Sequence, residues 1–405
     1  MPDIEAKSQI ISTNEDTQGD LAIIAKKLYD EQNYEQALKV YSDMLLYTSD
    51  SELYVKMGNC FEKLDKGATA VEYWEKAIEV EPMNSNAFIN LGNYYYKKNK
   101  IEKAISYWLA SLLSMPEEPT SNLNLAIAYS LKNMQLEAFL YYDRYLKYAQ
   151  DKTSEKYLTI KKKIEKNKKL GNDYLKLGVQ YQNFGDKLSA LKCYSRAVQY
   201  CPIFSKIHLN LGSLYYADKN YEEAVKYWAT ALYLDPYYPK ILNNLAITYD
   251  ILQKFDYAYC YYTRYNTLIV NNPVESDKIT SRCHKIKPIL NANPYLVANH
   301  IDHAKQAFAE CDYFRALNEF KNYIILEPSE FDNYNEFIIK IEKYIHPEMA
   351  VIESCLMKGK KLISEENNFS DAKQYYARVL VLAEQDSPEY TEAKKRLGIC
   401  IQHSL

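Results

Sequence analysis

Four glycines in this chain fall into two pairs with one internal spacing. Gly58 and Gly92 lie 34 residues apart, and so do Gly178 and Gly212. Their settings are nearly the same: KMGNCF, NLGNYY, KLGVQY and NLGSLY. Ala126 and Ala246 continue each series by another 34 residues. Twelve residues after each of these small residues stands an alanine: Ala70, Ala104, Ala138, Ala190, Ala224 and Ala258. Four further on comes an aromatic: Trp74, Trp108, Tyr142, Tyr194, Trp228 and Tyr262. Proline closes four of the stretches, at Pro82, Pro116, Pro202 and Pro236. A fixed period of this length is the mark of stacked supersecondary units rather than one core. A length of 405 residues also exceeds what one compact core usually holds.

Each element of the pattern has a steric reason. A Gly or Ala in the first helix of a unit lets the partner helix come close, and the alanine of the second helix does the same from the other side. The aromatics fill the space between adjacent units. Proline cannot continue a helix and sets the turn into the next unit. One unit cannot bury its apolar face alone, so neighbours stack into a solenoid with a concave side.

The pattern strongly resembles the tetratricopeptide repeat (TPR), a helix–turn–helix unit of about 34 residues. The resemblance implies an all-α fold, a right-handed TPR solenoid. Four good copies are 51–84, 85–118, 171–204 and 205–238, here repeats 2, 3, 5 and 6. Two variants, 119–152 and 239–272, are repeats 4 and 7. Weaker copies are repeat 1 (18–51), repeat 8 (297–330) and a degenerate repeat 9 near 353–386, followed by a capping helix at 388–402. The expected organisation is a polar N-terminal tail (1–17), repeats 1–4 (18–152), a basic linker helix (153–170), repeats 5–7 (171–272), a second linker helix (273–296), and degenerate repeats with the cap (297–405).

Repeats 2–4 match repeats 5–7 in order at an interval of 120 residues, three repeats plus an insert of 18. The chain therefore reads as a duplicated cassette. Both third members carry a YYxRY box, Tyr141 to Tyr145 and Tyr261 to Tyr265, and both run into a polar, helical-looking segment. The bulky Tyr145 and Tyr265 are expected to change how the next helix docks. Residues 331–345 read as a third extra helix.

In TPR solenoids the first helix of each repeat, helix A, lines the concave surface. At its sixth position the cassettes carry Lys56, Asn90 and Asn124, then Lys176, Asn210 and Asn244. Asparagine offers both a donor and an acceptor and can pair with a peptide backbone as a strand would. The TPR region of O-linked N-acetylglucosamine transferases has such an asparagine ladder. By that resemblance the four asparagines are candidates for backbone contacts, and the two lysines for an acidic group. Asn59 and Asn93 lie one turn along the same face, and Tyr96 and Tyr216 offer amphipathic contact area. Asparagine is also an ordinary bridging residue between neighbouring TPR helices, so a structural use of the row stands beside the ligand reading. The dicarboxylate clamp of chaperone-tail binders is matched only in part: Asn59 and Asn90 fit, whereas Val55, Thr120 and Asn124 depart from it, and in the second cassette only Lys240 is basic.

No nucleophile motif, phosphate loop or convergent acid set appears, so no catalytic residue, cofactor or metal is expected. His300 and His303 fall at repeat positions that pack between helices. The helical pattern runs to the C-terminus, leaving no room for a catalytic α/β domain. A net charge of −3 makes no general case for nucleic acid, and no segment is apolar enough to span a membrane. The first residues show no secretory signal, and the eight cysteines are irregularly spaced, as expected of thiols in a reducing cytoplasm. The expected function is a non-enzymatic, cytoplasmic protein–protein interaction scaffold that takes a peptide segment and no small-molecule substrate. The alternatives are a structural part of a larger secretion, motility or envelope machine, or the recognition subunit of a separate glycosyltransferase.

Overall fold

The computed structural model describes residues 19–235, 238–269, 272–345, 347–364, 368–382 and 388–403. The polar tail at 1–17 and the closing Pro236 lie outside them. The described residues form α-helices, one short 3-10 turn at Pro328–Glu330 and no strand. The chain is an all-α solenoid of helix–turn–helix repeats with extra helices between them. It divides into two compact units, one of residues 1–121 with 351–405, the other of residues 122–350.

The chain begins with α1 (19–30), α2 (Tyr34–Met44), α3 (Ser51–Lys63), α4 (Gly67–Val80), α5 (Ser85–Lys97) and α6 (Ile101–Ser114). The pairs α1–α2, α3–α4 and α5–α6 are repeats 1 to 3. Within a pair the small residue of the first helix sits under the aromatic ring of the second. A Cβ on Gly58 would come within 2.4 Å of Trp74, and one on Gly92 within 2.4 Å of Trp108. Trp74 and Trp108 are fully buried, and cutting back such a ring costs about 3–5 kcal/mol. Ala70 and Ala104, one turn before them on the same helices, have no exposed surface.

Next come α7 (Pro119–Leu131), α8 (Gln135–Tyr148), α9 (Glu155–Asn183), α10 (Lys187–Tyr200), α11 (Ser205–Ala217) and α12 (Tyr221–Leu234). They are followed by α13 (Pro239–Ile251), α14 (Phe255–Leu268), α15 (Pro273–Asn291), α16 (Pro294–Ala309), α17 (Tyr313–Leu326) and α18 (Phe331–Ile345). The 29-residue α9 is both linker and first helix of repeat 5. It passes so close to the end of α10 that a Cβ on Gly171 would lie 2.5 Å from the Cβ of Cys201. By contrast α15 stops at Asn291, because Pro294 holds the residue before it out of the helical region. The bulky tyrosines meet the extra helices: Tyr145 packs on Tyr157 of α9, and Tyr265 donates to Glu275 of α15.

The unit formed by residues 122–350 also joins its beginning to its end. Arg144 of α8 donates to the carbonyl of Ile345 at 3.2 Å, across 201 residues of sequence. Phe314 of α17 packs on Tyr233 of α12 with ring centroids 4.4 Å apart.

The chain closes with α19 (Pro347–Ser364), α20 (Phe369–Leu382) and α21 (Pro388–His403). Their core contains Ile352, Tyr376, Val379, Ala393 and Cys400.

The turn inside each of repeats 1 to 8 is left-handed. Gln32, Asp65, Asn99, Asn133, Lys219, Gln253 and Cys311 have φ between +57° and +65°. Each is followed by a bond from the next N–H back to a carbonyl five residues earlier, as from Lys66 to Phe61 and from Lys254 to Tyr249, both 2.9 Å. This Schellman closure satisfies the helix end. Only repeat 5 uses glycine there, at Gly185 with φ +81°.

Candidate functional site

In the first cassette the predicted residues form a connected fork. Asn59 Oδ1 accepts from the Trp74 indole at 3.0 Å and from Asn90 Nδ2 at 2.7 Å. Asn90 thus bridges α3 and α5 with one amide hydrogen. One repeat on, Asn93 Oδ1 accepts from the Trp108 indole at 3.2 Å, and Tyr96 packs on the same Trp108 ring. Lys56 and Asn124 are half-buried on α3 and α7.

The second cassette differs. Where α3 has Asn59, α9 has Val179. Asn210 is held instead by the Tyr194 hydroxyl at 3.2 Å, which itself donates to Gln182 at 2.7 Å. Lys176 is exposed on α9. Where α5 has Asn93, α11 has Ser213, too short to reach the indole. Trp228 therefore donates to the carbonyl of Leu209 at 3.2 Å. A cleft of about 230 Å³ opens there, lined by Ser213, Tyr216, Trp228, Lys240, Asn244 and Ile247. The fold brings together Tyr216 and Asn244, two predicted residues, and adds Lys240 and Ser213. The signal for Ser213 was its register with Asn93, which acquires meaning only once the indole is seen to need a partner.

The YYxRY boxes are sockets for later helices. Tyr141 stacks on Tyr129 with centroids 5.5 Å apart and carries Arg144 over its ring at 5.2 Å. Tyr261 stacks on Tyr249 at 5.5 Å and carries Arg264 at 5.3 Å. Arg264 then donates to Asn318 Oδ1 of α17 at 2.8 Å.

His300 is buried and joins three helices. Its Nδ1 lies 2.5 Å from Glu319 of α17, and its Nε2 lies 3.5 Å from Asp256 of α14. Tyr257 donates to Glu319 at 3.0 Å and meets the imidazole edge-on. Burial disfavours the charged ring, but hydrogen bonds and charge from Asp256 and Glu319 outweigh it and push the pKa up to about 9. At neutral pH this is a buried ionic triad. His303 is exposed.

Among the described residues no His, Cys, Asp and Glu cluster fits a metal, no disulfide forms, and no helix is long and apolar enough to cross a membrane. Burial pushes the thiols of Cys60 and Cys201 up to about 12 and 11, far from nucleophilic.

Stacked helical hairpins with polar and aromatic side chains on their first helices define an all-α repeat protein. Family models described as tetratricopeptide repeat match residues 55–122, 89–154 and 205–238. The chain is similar to human "Tetratricopeptide repeat protein 6", with 35% identity over 77 residues, 19% of this chain and 15% of that protein. The chain thus spans well under a fifth of the length of that relative. Among solved structures it is similar to YrrB, a TPR protein with an unusual peptide-binding site (18% identity, TM-score 0.25, 48% of this chain and 91% of that one). It is also similar to the TPR2AB domain of yeast Sti1 in complex with pHSP90 (17%, 0.28, 67% and 99%). A third is PilW, a type IV pilus biogenesis factor (17%, 0.31, 55% and 95%).

Proposed function

We propose that the chain is a non-enzymatic scaffold that binds extended segments of a partner protein along its helix A faces. The observation that carries this reading is the cleft of about 230 Å³ shared by Tyr216, Asn244 and Lys240. An aromatic wall, an amide and an ammonium group around one opening suit an apolar or acidic side chain beside a peptide backbone. In the first cassette the bond from Asn90 to Asn59 sets the amide in place before a ligand arrives, which lowers the ordering cost of binding. Asn90 in the one unit and Asn124, Asn210 and Asn244 in the other are the backbone-reading residues, each similar to a rung of the ladder of the glycosyltransferase TPR regions.

The test is affinity purification with wild type and a variant carrying Asn→Ala at all four positions, its helicity first checked by circular dichroism. Partners present with wild type and lost with the variant support the reading. Identical partners from both proteins overturn it. A second variant, Ser213→Asn, restores an indole acceptor like Asn93 and narrows the second cleft. It is expected to weaken binding through the second cassette alone.

A further inference from the structure

Each cassette ends in a cleft between its third repeat, the extra helix and the close of the following helix B. The first is about 410 Å³ and the second about 310 Å³. Equivalent residues line both: Phe139 and Tyr259, Asn167 and Lys287, Tyr200 and Leu326, Pro202 and Pro328. None of the ten predicted groove residues lines either.

Their electrostatic settings differ. Residues 155–170 of α9 hold seven lysines against two glutamates, whereas α15 holds four basic residues against two acids. Lys163 lines the first cleft. Lys156 lies two turns earlier on the same stripe, and Lys162 and Lys166 flank it. All four are exposed. Lys161 is spent on Glu165 and Lys168 on Asp143, but no described carboxylate pairs with Lys156, Lys162, Lys163 or Lys166. Beneath the lysines the floor is apolar, with Phe139, Tyr142, Ile160 and Ile164.

We propose that the first cleft binds an acidic segment of a partner protein that carries apolar anchor residues. The anchors lie on the apolar floor formed by Phe139, Tyr142, Ile160 and Ile164, and the carboxylates meet Lys163 and the lysines beside it. Charge complementarity names the acid, and the floor names the anchor. RNA would use the lysines alone. Phosphate gains nothing from the apolar floor, and one face of Tyr200 is already stacked on Tyr174 at 5.7 Å. The second cleft stands at the equivalent place but is smaller and carries both Lys287 and Glu327 on its lining, so it serves as an internal control.

The experiment is fluorescence anisotropy on the full chain with three labelled probes. One is a short synthetic peptide of Asp and Glu around two Leu and one Phe. The second has those three replaced by Ser, and the third is a single-stranded RNA of matched length. The proposal expects the first probe to bind at least about tenfold more tightly than the other two, with affinity falling as salt rises. The triple variant Lys162→Glu, Lys163→Glu, Lys166→Glu should lose about tenfold or more. Thr159→Trp, at an exposed rim position, should weaken the apolar-bearing peptide and leave the serine peptide unchanged. Lys287→Glu should change nothing. All are exposed side chains, and circular dichroism checks the fold. Equal binding of the serine peptide, tighter binding of RNA, no binding of the first probe, or insensitivity to the triple variant overturns the proposal.

Discussion

The two cassette junctions use one architecture and opposite chemistry. At the first, Leu136, Tyr174 and Cys193 occupy the positions that Asp256, His300 and Glu319 occupy at the second. The first junction is apolar and aromatic, with Tyr174 stacked flat on Tyr200 and Gly171 pressed against Cys201. The second is a buried ionic triad. The same split appears in the backbone. Gly171 permits α9 to run on unbroken past α10, whereas α15 ends at Asn291 and the next helix docks afresh. Contact by close approach needs glycine. Contact by charge needs three side chains at fixed places on three helices. The duplicated boxes around them are the same, so the difference lies in what the chain does after the box.

The largest expected effect is at His300. His300→Leu leaves two carboxylates facing each other without a cation and should cost about 3–5 kcal/mol in urea unfolding. A loss under about 1 kcal/mol would show the triad to be incidental. The wild type should also report the triad through pH. The folded pKa of about 9 lies above the ordinary 6.5, so the contribution is complete below 6.5 and fades as pH rises through 9. The full swing is about 3 kcal/mol. Hydrogen exchange corrected for intrinsic rates should show α14, α16 and α17 loosening over that window while α8 to α10 do not. Equal loosening at both junctions would erase the contrast.

Next comes Gly171→Asn, which puts a side chain where α9 meets Cys201. Its Cβ lands on Cys201, and overpacking of this kind costs about 1–3 kcal/mol. A thermal melt of unchanged midpoint would mean that α9 can shift at no cost. The smallest effect separates the sockets. Arg264→Ala removes a bond to Asn318 and Arg144→Ala a bond to Ile345, each worth about 1 kcal/mol. Chemical unfolding of the two variants should therefore give similar losses.

The repeats were legible because their cause is local. Gly58 and Trp74 lie in one hairpin, and a ring that needs a glycine beneath it writes a fixed spacing into the sequence. The packing alanines follow for the same reason. The fork at Asn59 was not legible. Position in a helix names the face a residue shares, but the sharing of one oxygen between Trp74 and Asn90 depends on side-chain geometry across three helices. The triad was hidden for a related reason. His300 stood at a packing position, while its partners lie 44 residues before it and 19 after it, on helices brought near only by the fold. The asymmetry of the clefts needed one further step, from Ser213 in place of Asn93 to an indole that must find another acceptor.

An open stack of repeats melts like a frayed rope, losing members from its ends because each touches only its neighbours. Within residues 122–350 the bond from Arg144 to Ile345 ties α8 to the end of α18. Freeing α18 from α8 breaks a contact that spans 201 residues, so these two helices should come apart together rather than one at a time. They should also assemble slowly for a helical protein, since so distant a closure must wait until the chain between has taken shape.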